Sequence, residues 1–371
     1  MNDKRKELIV KNIYKLKRIA IKVGSNVLSR EDGSLDVTRM SALVDQIAEL
    51  HRNGLEIIFI SSGAVASGKS EVKAKNKLDD VSARQLYSAV GQVKLINRYY
   101  DFFREHGITC GQVLTTKESL GTRNHYLNQR NCISVMLENK VIPIMNENDT
   151  TSVTELMFTD NDELSGMIAA MMDADALIIL SNIDGIYTGL PTDPDAKVIR
   201  EIPLDNDITE YIHTSKSIFG RGGMATKYRI ARKVANEGIE VIIANGKTEK
   251  ILPRIIRKDP DIVYTRFVPS DKASSGIKKW IAHSDSFAKG EIHINANAAK
   301  ALTGEKAISL LPVGVVSVKG AFEKDDIVRI IDDKGRVIGV GKASYDSEKT
   351  RELTGRKGNK PVIHYDYLYL E

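Results

Sequence analysis

Arg18-Ile19-Ala20-Ile21-Lys22-Val23 runs straight into Gly24-Ser25-Asn26. The run is short, apolar on both alternating faces and closed by small residues, so it reads as a doubly buried strand that stops at a tight turn. The same arrangement recurs at 55–60, which feeds Ser61-Ser62-Gly63-Ala64-Val65-Ala66-Ser67-Gly68. Further apolar runs occupy 108–114, 141–145, 176–180 and 240–244. Between them, 38–53, 82–106, 122–139, 161–174 and 223–238 carry apolar residues at helical spacing. This alternation predicts an α/β fold in which an open, mostly parallel sheet is sandwiched by helices.

After about residue 258 the pattern changes. The stretch 259–289 is rich in Lys, Ser and Asp and reads as a connector, although Trp280 and Ile281 inside it need a packing partner. Later runs at 313–318, 326–331, 337–340 and 362–370 are short and separated by turn signals such as Asp332-Asp333-Lys334-Gly335. A small β-barrel-like domain fits that spacing. The expected organisation is therefore a first domain at 1–258, a connector at 259–289 and a second domain at 290–371.

A chain of 371 residues is longer than one hydrophobic core usually fills, in keeping with two domains. Hydrophobic residues make up 42% and charged residues 28%, the balance of an ordinary globular protein. The charge of +5, from 54 basic and 49 acidic residues, is too small an excess to argue for nucleic acid or an anionic membrane. It suits a small anionic substrate. Cys110 and Cys132 lack metal or redox spacing and are expected to be buried, reduced thiols. Leu8-Ile9-Val10 is too short for a signal-peptide core, and no run reaches the ~18 apolar residues of a membrane helix, so a cytoplasmic location is expected.

Four clusters can carry chemistry. Lys22-Val23-Gly24-Ser25 and the turn 61–68 follow strand carboxyl ends, where open parallel sheets bind ligands and where glycine lets backbone N–H groups approach a phosphate. Each also fits plain strand-ending sterics, and neither is a Walker A or GxGxxG sequence. The third cluster, Asn146-Glu147-Asn148-Asp149 continued by Asp160-Asn161-Asp162-Glu163, concentrates amides and carboxylates. Such a set can hold an ammonium and a carboxylate, as an amino acid requires; the alternative is a solvated loop with Asp160 or Asn161 capping a helix. The fourth, Gly220-Arg221-Gly222-Gly223-Met224-Ala225-Thr226-Lys227, opens a helix, and a helix N-terminus suits phosphate. Its alternative is a flexible surface loop.

In order and spelling the clusters resemble the amino-acid-kinase family, through K-V-G-S, S-S-G-A-V-A-S-G, V-I-P-I-M-N-E-N-D, D-N-D-E-L-S and G-R-G-G-M-A-T-K. Residues 85–92 are similar to the family's A-A-V-G-Q segment. The C-terminal part resembles a PUA domain, through Ser309-Leu310-Leu311-Pro312-Val313-Gly314 and Val362-Ile363-His364. The combination implies ATP-dependent phosphorylation of the γ-carboxylate of free L-glutamate to L-glutamyl 5-phosphate, the first step of proline biosynthesis, with Mg2+.

Carried over residue by residue, the resemblance implies Lys22, Lys227 and Asp162 as catalytic, with Asp162 organising Mg2+ or the lysines. It implies Ser62, Asp149 and Asn161 as glutamate-binding. It implies Lys22, Gly24, Ser181, Asn182, Arg221, Gly222, Gly223, Met224, Ala225, Thr226 and Lys227 as nucleotide-binding, and names no metal ligand. Asn182 stands where the family has Asp, and Arg221 where Thr is common. The resemblance further implies a homo-oligomer, proline as feedback inhibitor, and hand-over of the labile acyl phosphate to glutamyl-phosphate reductase.

A glutamate carboxylate is already ionised at neutral pH and can attack phosphorus without a general base. No catalytic His is needed. The nearest rivals are family members acting on acetylglutamate, aspartate or a nucleoside monophosphate, which do not usually carry a PUA domain. An RNA-binding role is the rival from another class; residues 291–371 hold about 13 basic and about 12 acidic residues, which is no basic stripe. Tyr365, Tyr367 and Tyr369 alternate like a strand face and read as packing rather than base stacking.

Overall fold

The computed structural model describes residues 16–151, 160–212, 223–271, 276–284, 287–304 and 308–370. The chain divides into two units, Met1–Thr116 with Leu127–Ala273, and Lys117–Tyr126 with Ser274–Glu371. Among the described residues no helix is long and apolar enough to cross a membrane.

In the first unit, β1 (Arg18–Val23), β2 (Glu56–Ser61), β3 (Cys110–Thr115), β4 (Ile142–Glu147), β5 (Ala176–Ser181), β6 (Glu201–Ile202), β7 (Glu240–Asn245) and β8 (Tyr264–Phe267) form one sheet. Their order is β3-β4-β2-β1-β5-β7-β8-β6. Neighbours from β3 through β7 run parallel; β8 runs antiparallel to β7 and parallel to β6. The apolar run of β1 is explained by its central place, with β2 on one side and β5 on the other. Strand order reverses there, and in such sheets the ligand crevice lies beyond the carboxyl ends. Pairing of Val23 with both Ser61 and Leu180, and of Ser181 with Asn245, brings those ends to one edge.

Helices begin where an aspartate can cap them. Asp36 accepts from Arg39 N ahead of the helix Val37–Arg52, and Asp79 accepts from Val81 N and Ser82 N ahead of Asp80–Glu105. The latter cap explains why that helix starts before the expected residue 82. Ile19, Ile21, Phe59, Ile47, Tyr99 and Phe103 are fully buried in the core beneath. Each such side chain contributes roughly 1.5–3 kcal/mol by leaving water. Tyr99 meets Phe59 edge-on at 5.1 Å, and its hydroxyl shares a 2.7 Å hydrogen bond with Ser61 Oγ.

Three expectations change. The stretch 259–289 is not only a connector, because Tyr264-Thr265-Arg266-Phe267 inside it forms β8, with Thr265 and Phe267 buried. Four residues with a single aliphatic-free alternation are too short to stand out by periodicity. Cys132 is exposed and Cys110 only half-buried, so the thiols are free but not both buried; partial burial pushes Cys110 up to about 11. The third change lies in the second unit.

There, β9 (Gly290–Ile294), β10 (Val315–Gly320), β11 (Ile327–Ile331), β12 (Val337–Lys342) and β13 (Leu368–Leu370) make a sheet ordered β10-β9-β11-β12-β13. Ile292, Ile294, Val328, Ile330, Val362 and Ile363 form its core. The expected strand at 362–370 is broken: Tyr365–Tyr367 is a single 3-10 turn, whose start is held by Tyr365 N donating to Ser309 Oγ at 3.0 Å. The tyrosine alternation is therefore no strand face, and Lys342 Nζ lies 4.2 Å from the Tyr367 ring centre. Trp280 is buried and donates through Nε1 to Leu120 O at 3.2 Å, both within this unit.

Candidate active site

Lys22 sits one residue before the end of central β1, so its side chain has little water to reach and is 5% exposed. That burial sets Lys22 apart from an ordinary exposed strand residue. Its Nζ lies 2.5 Å from Asp162 Oδ1, and Lys227 Nζ lies 3.0 Å from Asp162 Oδ2. One fully buried carboxylate thus joins two ammonium groups from opposite ends of the fold's sequence.

Burial alone would push the Asp162 carboxyl up, but Lys22 and Lys227 outweigh it and hold the group well below the ordinary carboxylate range. Burial likewise works against the Lys227 ammonium, and the Asp162 charge more than restores it. Asp162 and Lys227 are therefore both ionised at neutral pH. Asp162 owes its position to the helix Asn161–Met171, whose preceding Asp160 accepts through Oδ1 from Asp162 N at 2.9 Å and Glu163 N at 3.1 Å. The capping alternative thus holds for Asp160 alongside whatever else the cluster does. Asp160 Oδ2 is buried without a hydrogen-bond partner among the described residues. Burial and the neighbouring Asp162 charge push Asp160 up to about 6.

On the other side of the helix start, Asn161 Nδ2 donates to Ser62 Oγ at 2.8 Å and to Asn146 Oδ1 at 3.0 Å. Asn146 Nδ2 donates in turn to Gln92 Oε1 at 2.8 Å. Ser62 and Asn161 are therefore brought together, and Asn161–Asp162 joins them to the lysines. Asp149 is placed apart from this chain and pairs with Arg84, which also holds Glu147. Asn146, Glu147 and Asp160 stood in the third cluster without roles of their own, and neither Arg84 nor Gln92 was among the residues expected to form the site. Gln92 had a signal in the A-V-G-Q segment; Arg84 had none, since its partners lie 63 and 65 positions away.

The turn 61–68 has a packing reason for its glycines. Gly63 starts the helix Ala64–Lys69 at φ +110°, and a Cβ on Gly68 would lie 1.8 Å from Tyr87 O. A Cβ on Gly91 would lie 1.8 Å from Ala64 O, so the two glycines let this helix and Asp80–Glu105 touch backbone to backbone. Gly24 N–H is spent on Leu180 O at 3.0 Å, and a Cβ there would stand 3.6 Å from Lys22 Nζ. A methyl there would make only ordinary contact with the ammonium, so space alone does not call for glycine at this position. Ser181 is buried and Asn182 exposed at the end of β5, next to the end of β1.

Gly223 precedes the helix Met224–Asn236, and Met224, Ala225 and Thr226 form its first turn with Lys227. Their N–H groups have no partner within the helix and face its positive end. Arg221 and Gly222 lie outside the described residues. Among the described residues no group of three or more His, Cys, Asp or Glu could hold a metal by itself.

A pair of lysines joined by a buried aspartate, at the switch point of a parallel sheet and beside an open helix N-terminus, is machinery for handling phosphoryl groups. The chain belongs to the amino acid kinase family, whose model matches residues 17–245, and it carries a PUA domain matching residues 290–365. It is 68% identical to the glutamate 5-kinase of Bacteroides thetaiotaomicron over 354 residues, which cover 95% of this chain and 98% of that one. It is 48% identical to the glutamate 5-kinase of Chlorobaculum tepidum over 357 residues, 95% of this chain and 97% of that one. Among solved structures, carbamate kinase from Giardia lamblia bound to AMP-PNP aligns with a TM-score of 0.50 at 17% identity, covering 69% of this chain and 99% of the other. An isopentenyl phosphate kinase aligns with a TM-score of 0.50 at 18% identity, covering 68% and 100%. These two share the fold.

Proposed function

We infer that the chain transfers the γ-phosphoryl group of ATP to the γ-carboxylate of L-glutamate, giving L-glutamyl 5-phosphate at the entry to proline biosynthesis. The observation that carries this reading is the Lys22–Asp162–Lys227 bridge set one residue from the Asn161–Ser62 pair. The attacking carboxylate is already charged, so the barrier is repulsion between it and the phosphate oxygens. Lys22 and Lys227 offset that repulsion, and Asp162 keeps both ammonium groups aimed at one point. Ser62, Asn161 and Asp149 hold glutamate. Gly24, Ser181, Asn182 and the helix start at Gly223–Lys227 hold the nucleotide, together with Arg221 and Gly222 just before it in sequence.

Mg2+ fits the residues present, because Asp160 offers a buried, unpartnered carboxylate oxygen, and Mg2+ takes one or two carboxylates and completes its shell from phosphates and water. Bound there, it would supply further neutralisation of phosphate charge. The reading also carries the homo-oligomer, inhibition by proline, hand-over to glutamyl-phosphate reductase and a cytoplasmic setting, since acyl phosphates hydrolyse unless consumed promptly.

ATP-dependent formation of glutamyl hydroxamate tests the reaction, with acetylglutamate, aspartate and no acceptor as comparisons. Product from glutamate alone is expected. Product from none of these in folded protein would refute the reading.

A further inference from the structure

Arg84 stands near the start of the helix Asp80–Glu105, with its side chain 17% exposed. Its Nε donates to Asp149 Oδ1 at 2.6 Å and its Nη2 to Glu147 Oε2 at 2.8 Å, with a further contact from Nη2 to Asp149. Both carboxylates are nearly buried, at 2% and 7% exposure, and both lie at the carboxyl end of β4. A planar guanidinium can fix two carboxylates in orientation as well as in charge.

We propose that Arg84 is a positioning residue for the amino-acid end of the substrate, setting Asp149 in the orientation that receives the α-ammonium of glutamate. The inference rests on the glutamate reading above and deepens it. Stability alone does not account for the cluster, since buried ion pairs are expensive to desolvate and apolar replacements often serve a fold as well. The cluster also holds the strand end that supplies the Asn146 link to Asn161 and Ser62, and the same helix grips that end a second time through Gln92. A cavity of about 250 Å³ borders Glu147, Asn148, Asp149 and Gln92, so the carboxylates adjoin open space rather than solid core.

The test compares glutamate with glutarate, which keeps both carboxylates and lacks the ammonium. Steady-state kinetics on the unaltered chain first establish turnover of glutamate; its absence would defeat the glutamate reading and this inference with it, whereas turnover by the unaltered chain lets the variants below defeat this inference alone. In Arg84→Met, the KM for glutamate is expected to rise at least about tenfold with kcat changed less than about threefold, while the inhibition constant of glutarate stays within about threefold. Arg84→Lys keeps the charge without the fork and is expected to fall between the two; it decides the matter by the same comparison should the methionine variant not fold. Equal losses for glutamate and glutarate, or an unchanged KM in a folded variant, would overturn the proposal.

Discussion

Asp162 has two cations and no water, so its loss should be felt twice. Asp162→Ala leaves Lys22 and Lys227 facing each other in a buried space, and about 3–5 kcal/mol of stability is expected to go with it, measured by urea unfolding at pH 7. Lys227→Ala should instead leave the fold standing and lower the hydroxamate rate by about 10²–10³ at saturating glutamate. The neighbouring carboxyl has the opposite sign. Asp160 is pushed up to about 6, so the folded chain holds that proton more tightly than the unfolded one, and the stability so gained is lost as pH rises from the ordinary carboxylate range through 6. Asp160→Asn keeps the helix cap and abolishes that loss. The variant is expected to unfold at higher urea than the parent at pH 8, by about 1–3 kcal/mol, and at nearly the same urea at pH 4. Equal offsets at both pH values would refute the assignment.

At the scale of elements, the backbone contact between Ala64–Lys69 and Asp80–Glu105 leaves no room for a methyl at either crossing glycine. Gly91→Ala is expected to cost about 3 kcal/mol or more, read as a fall in melting temperature, while Gly107→Ala meets no atom and costs only the roughly 1–2 kcal/mol of its left-handed backbone, φ +68°. The strands at the sheet's centre were legible because each is buried on both faces and so written largely in consecutive apolar residues, as in 19–21 and 176–180. Lys22, Ser62, Asn161, Asp162 and Lys227 were legible as strand ends and a helix start, where local rules place polar groups. Pairings across distant sequence left no local trace: Arg84 looks like any helical arginine until β4 is laid beside it. β8 was hidden by its brevity, and the tyrosines at 365–369 mimicked a strand because three alternate positions are too few to fix a period. The glycines of 61–68 were left between a phosphate cradle and plain strand-ending sterics, and Gly68 answers to a neighbouring helix.

For the whole molecule, the second unit is assembled from two separate stretches, Lys117–Tyr126 and Ser274–Glu371. Trp280 is its internal tie, donating to Leu120 O and lying 6.2 Å ring to ring from Tyr126. A chain ended at Ala273 would keep the eight-stranded sheet but strip 117–126 of its partners. It is expected to melt below the intact protein, and an unchanged melting temperature would show that the tie is dispensable.

That two-part assembly also imposes an order on synthesis. Leu120 and Tyr126 leave the ribosome about 150 residues before Ser274, a delay on the order of ten to thirty seconds at ordinary elongation rates. Over that interval the strands from β4 to β8 emerge, while Leu120 and Tyr126 wait for the Trp280 indole they meet in the second unit. The second unit therefore cannot close until its C-terminal stretch has been made, however much of the first unit has already folded.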